Sequence, residues 1–231
     1  MSWRSIDHLP NAMRRMRPVG LALGAWLGLS AAAMAHPHVW IEARAVVVYD
    51  GARPVAVRNA WTFDPAYSAF LTLGAPRDAA GAVPAGALDG AARKAVASVA
   101  DSNYFIEARG EAGRKALGAP AKAGMTLAGD RATLSFEIPI GDRHAPTGDM
   151  PAGALRLEVM DPSYFVAFAF APGDAVALEG APPGCAIALA RPKGFSAEDA
   201  KTLAAGVLDA LAAGDAGERI SNAATVSCPA P

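Results

Sequence analysis

Two histidines separated by one proline, His36-Pro37-His38, are the residues of this sequence best suited to chemistry. They follow Ala33-Met34-Ala35, an Ala-x-Ala arrangement of the kind a signal peptidase cuts. Cleavage after Ala35 leaves His36 as the first residue. One short segment then carries a free α-amine and two imidazoles, three nitrogen donors for a soft or borderline divalent metal. Pro37 narrows the geometry. A square-planar site built on deprotonated backbone amides needs an N–H at the second residue, and proline has none. In an extended segment residues i and i+2 face the same side, so His36 and His38 can converge. Copper, nickel and zinc all suit such donors, with copper favoured by affinity alone.

Asp64 and Asp161 are the carboxylates placed to complete such a site. Each precedes a proline, in Asp64-Pro65-Ala66-Tyr67 and Asp161-Pro162-Ser163-Tyr164. An aspartate there also serves a plainer purpose, capping the segment that follows. His144 stands in a stretch of prolines and charges, Pro139 to Gly153, and is a further candidate ligand. The competing reading makes His36-Pro37-His38 only a polar leader ahead of the first strand.

The elements that must position these residues follow from hydrophobic spacing. Val39 to Tyr49 alternates, with Val39, Ile41, Ala43, Ala45 and Val47 on one face, which predicts a half-buried strand. Asp50-Gly51 signals a turn, and Val55 to Phe63 is the return strand of an antiparallel hairpin. Asp64-Pro65 opens a short helix to Leu73, with Tyr67, Phe70 and Leu71 expected to face inward. Leu88, Ala92, Val96 and Val99 have helical spacing. Strands are predicted at 104–108, 126–128, 131–138, 155–159, 165–170, 176–178 and 185–189. A last helix begins near Ser196 with Leu203, Val207, Leu208 and Leu211 inward. The tail from Ala224 to Cys228 reads as an edge strand. The expected fold is therefore α+β, mainly antiparallel β hairpins with a few packed helices.

Composition sets the outer limits. The chain has 231 residues, 52% of them apolar, enough for one large domain or two small ones. Residues 1–35 read as a cleaved signal peptide, with a basic beginning and an apolar run from Val19 to Met34. Residues 36–231 are the expected mature domain, divisible into subdomains 36–110 and 111–231. The signal segment carries four arginines and Asp7, so the remainder holds 17 basic against 21 acidic side chains. A chain with that balance and no basic patch is not expected to bind nucleic acid. Cys185 and Cys228 both lie in the exported part, where an oxidising periplasm favours joining them; a pair of metal thiolates is the alternative.

Known catalytic signatures are missing from the sequence. It has no G-x-S-x-G, no phosphate-binding loop and no H-E-x-x-H, and the expectation is a protein that is not an enzyme. The remaining enzymatic reading is a histidine-brace copper oxygenase built on His36. A non-metal accessory subunit of a transport system is the other alternative.

Ala35-His36-Pro37-His38-Val39-Trp40-Ile41, Trp61-Thr62-Phe63-Asp64 with Tyr67-Ser68, Asn103-Tyr104-Phe105 and Asp161-Pro162-Ser163-Tyr164 resemble the domain of unknown function 1007 family. The resemblance runs over most of the mature chain. It implies a periplasmic component of ABC-type transport, often associated with nickel/cobalt transporters of the inner membrane. The rhythm of two doubly wound lobes, however, is not present in the sequence.

Overall fold

Strand β1 (Val39–Asp50) is the spine of the larger sheet, and every odd residue from Val39 to Tyr49 is buried. The computed structural model describes residues 39–110, 113–141, 154–163, 165–191 and 222–229. β2 (Arg53–Phe63) returns antiparallel to β1, with Ile41 opposite Phe63 and Val47 opposite Val57. Gly51 makes the tight turn between them with φ +60°, a conformation that costs glycine little. Two short helices follow, α1 (Pro65–Leu71) and α2 (Asp89–Ser98), then a 3-10 turn over Ala100–Phe105. β3 (Ile106–Gly110), β4 (Gly113–Arg114), β5 (Lys122–Ala128), β6 (Arg131–Pro139) and β7 (Leu155–Val159) come next. β8 (Val166–Phe170), β9 (Val176–Glu179), β10 (Ala186–Ala190) and β11 (Asn222–Ser227) complete the described strands.

The larger sheet runs β5-β6-β2-β1-β8, with β9 also paired to β1. The smaller runs β10-β11-β7-β3-β4 and is antiparallel throughout. The fold is thus mostly β, in two largely antiparallel sheets, with three short helices. One hydrophobic cluster draws on both sheets: Val47, Leu134 and Ile138 from the larger, Leu155, Leu157 and Val226 from the smaller. Strands from both sides of residue 110 enter each sheet. The other face of the larger sheet is polar. Arg58 spans from Glu137 to Glu179, and Arg131 reaches Glu42. The Arg58 guanidinium holds the Glu179 carboxyl below its ordinary range, but both groups are exposed and such pairs contribute little.

Three differences from the sequence reading have physical reasons. β8 and β9 lie parallel to β1, a pairing that short apolar runs do not encode. The tail strand β11 is interior, hydrogen-bonded to β10 on one side and β7 on the other, because local residue pattern does not encode whether one edge of a strand or both are paired. The strand expected from Tyr104 starts at Ile106, because Asn103, Tyr104 and Phe105 take positive φ. The helix expected from Ser196 and the loop holding His144 lie outside the described residues.

Two devices fasten the smaller sheet. Asn222, wholly buried, accepts from the Phe170 N–H at 2.8 Å and donates to the Phe168 carbonyl at 2.7 Å. These are peptide groups on the side of β8 away from β1, since the alternate residue Ala171 donates to Ala43. The amide side chain pairs with the edge of β8 as another strand would. The second device is the Cys185–Cys228 disulfide, which joins the start of β10 to the residue after β11 across 43 positions. Asn222→Leu leaves two buried peptide groups unpaired and is expected to cost about 2–4 kcal/mol in urea unfolding. Reducing the disulfide is expected to cost up to about 4 kcal/mol by the chain-entropy relation, read as a fall in melting temperature with added reductant.

Candidate functional site

The two Asp-Pro turns come together at the beginning of β1. Asp64 sits between β2 and α1 in extended conformation, and Pro65 takes the first helical position. Its Oδ1 accepts from the Tyr67 N–H at 2.9 Å, which caps α1. Its Oδ2 accepts from the Trp40 N–H at 2.9 Å, and its own N–H donates to the Trp40 carbonyl. One side chain therefore starts the helix and holds the second residue of β1. Ser68, with no exposed surface, locks the helix down: its Oγ donates to the Phe63 carbonyl and accepts from the Ala132 N–H of β6.

Asp161 performs the matching task across the strand. It is buried, and its oxygens accept from the Ser163 N–H, the Ser163 hydroxyl and the Val166 N–H, at 2.7–2.9 Å. This closes the turn and launches β8, whose Val166 stands opposite Val39. Both carboxylates thus spend hydrogen-bonding capacity on backbone amides. Among the described residues no cluster of three His, Cys, Asp or Glu side chains is placed to hold a metal. His36, His38 and His144 lie outside the described residues. The thiolate alternative for Cys185 and Cys228 does not hold, since they are bonded to each other.

Between these turns and the two helices lies a cavity of about 650 Å³. Its floor is Val39, Ile41, Trp61, Phe63 and Leu134 of the larger sheet. Tyr67, Phe70 and Leu71 of α1 form one wall, and Ala91, Lys94 and Ala95 of α2 another. Phe105 and the segment Asp161-Pro162-Ser163 close the remaining side. The helical wall corrects the expected facing of α1. Ser68 is its buried residue, whereas Phe70 is 67% exposed. The requirement to bond Ser68 with β6 sets the rotation of the helix and turns Phe70 to the cavity mouth.

Trp61 is the centre of the aromatic floor. Its ring meets Phe136 and Phe168 edge-on, with centroids 4.7 and 5.0 Å away, and stacks with Phe105 at 6.4 Å. It is 2% exposed, and its indole Nε1–H has no hydrogen-bond partner among the described residues. A buried donor left in that state costs about 1–3 kcal/mol.

Phe105 reaches its place through an unusual backbone. Asn103, Tyr104 and Phe105 have φ of +52°, +55° and +53°. Asparagine tolerates this region, and the Asn103 amide donates to the Ile106 carbonyl at 2.6 Å. Tyrosine and phenylalanine tolerate it poorly, at about 1–2 kcal/mol per residue. The turn is held by Tyr104 N–H to the Val99 carbonyl and by Met160 N–H to the Phe105 carbonyl. Strain of this kind persists where packing over-determines it, which is often beside a site.

Residues from three stretches far apart in the chain, Trp61 to Tyr67, Ser102 to Phe105 and Asp161 to Ser163, thus line this one cavity. A family model described as a protein of unknown function (DUF1007) matches residues 21–228. The chain belongs to the DUF1007 family. No curated protein matches it. In this DUF1007 chain sequence reasoning singles out Asp64 and Asp161 and not the cavity. The missed residues were Trp61, Phe105 and Lys94. Trp61 and Phe105 stood inside quoted motifs, whereas nothing in the spacing marked Lys94.

Asp64→Ala removes both the helix cap and the acceptor for Trp40. A loss of about 2 kcal/mol in chemical denaturation is expected, with Asp64→Asn losing less because an asparagine oxygen still caps.

Proposed function

We propose that this is a periplasmic protein that binds one divalent transition-metal ion, nickel, cobalt, copper or zinc, at its mature amino terminus and passes it to an inner-membrane transporter. The ion is cargo, and the protein acts as a carrier and not as an enzyme. His36 supplies the amine and an imidazole, and His38 a second imidazole. The observation that carries the reading is the clamp at the start of β1. Asp64 holds Trp40, and the turn made by Asp161 sets Val166 against Val39, so the residue covalently following His38 belongs to a fixed strand. A donor pair tethered to a rigid strand loses less freedom on closing around an ion.

The Cys185–Cys228 disulfide fits an oxidising, extracytoplasmic compartment, and no helix among the described residues is long and apolar enough to cross a membrane. Asp64 and Asp161 enter this reading chiefly as positioning groups, with Asp64 the better placed to lend a lone pair because each of its oxygens accepts one bond. His144 has no assigned part. An accessory subunit without metal is the second reading, favoured by the exposed Leu73, at 84%, beside Phe70.

Calorimetric titration of the exported protein is expected to find one metal per chain. Acetylating the terminal amine or replacing His36 with alanine should weaken binding by more than the ~10–100-fold typical of losing a supporting contact. Binding should also fall as pH drops from about 8 to 5, because the amine and imidazoles then hold protons. A chain beginning elsewhere than His36, or unchanged affinity in the alanine variant, contradicts the proposal. Partner binding that survives His36→Ala with His38→Ala favours the accessory reading.

A further inference from the structure

The aromatic cavity has no part in coordinating an ion through His36 and His38, and it carries a separate indication. Two observations meet there. Its volume, about 650 Å³, lies in the range of small-molecule sites, and its surfaces are apolar and aromatic. At its edge stands Lys94, an exposed ammonium that lines the cavity and forms no ion pair among the described residues. The one carboxylate on the wall, Asp161, is already bonded to Ser163 and Val166, so it does not answer Lys94.

We propose that this cavity binds a small amphipathic acid. The ligand has an apolar chain or ring inside and an anionic group at the opening near Lys94. The features distinguish this occupant from others. A pure hydrocarbon leaves the Lys94 ammonium without a partner, and a cationic amphiphile places like charge beside it. Phe70, half out of the cavity at 67% exposure, supplies apolar surface at the mouth that a bound chain would cover. The run of positive φ at Asn103 to Phe105 brings a ring to the inner wall that an ordinary turn would direct elsewhere.

The test uses the exported protein and two matched probes, decanoate and 1-decanol, which share a chain and differ in charge. By calorimetry decanoate is expected to bind about three- to fivefold more tightly, the scale of one exposed ion pair. Lys94→Met should erase that advantage and leave the affinity for 1-decanol unchanged. Replacing His36 and His38 with alanine should leave both affinities unchanged, which separates this site from the metal proposal. Absence of binding by both probes overturns the inference, as does an affinity for decanoate indifferent to Lys94→Met.

Discussion

Carboxylate oxygens bonded to peptide N–H groups hold the first turn of the architecture together. Asp64 takes the amide of Trp40 on one edge of β1, and Asp161 takes the amide of Val166 on the neighbouring strand. Bonds from an ionised acceptor to backbone amides are among the stronger ones available to a protein. They are placed where the sheet would otherwise fray, at the end of a strand one of whose partners, β8, arrives from a distant part of the chain. Once β1 is fixed there, its alternation carries five further odd-numbered residues into the core without further instruction.

The cavity is a consequence of the same arrangement. Each aspartate begins a segment that bends away from the sheet, α1 after Asp64 and the Pro162-Ser163 turn after Asp161. The space between these segments is roofed only in part by α2. Its floor could have been filled by a large side chain from the helices, but Ala91 and Ala95 face it instead. Against that economy the structure tolerates an unpaired indole donor and three residues of left-handed backbone. Costs of this kind gather where a protein handles something other than itself.

Much of this was readable from residue pattern, and the exceptions are instructive. The β1–β2 hairpin, both helices and the β5–β6 hairpin follow from local alternation, helical spacing and turn residues at Gly51, Pro65 and Gly129. Pairing between remote strands was not legible, because Val166–Phe170 carries the same apolar signature whether it runs with or against β1. The role of Asn222 was equally hidden: a lone asparagine reads as a loop residue until the edge of β8 is beside it. At the site the Asp-Pro echo and its capping role are legible in the sequence, but that the two copies flank one strand depends on topology. On α1 apolar rank favours burying Phe70, whereas a serine satisfying two backbone groups decides the rotation.

Metal carriage and ligand capture both lean on a rigid beginning to β1, one for its tethered histidines and the other for its floor. Amide hydrogen exchange at Trp40 and Val166, followed by nuclear magnetic resonance, examines that rigidity directly. The account requires both amides to be protected to nearly the degree of Val47 in the strand centre. Exchange at the rate of an open chain at either residue would mean that the aspartates do not hold the strand, and the account would be contradicted.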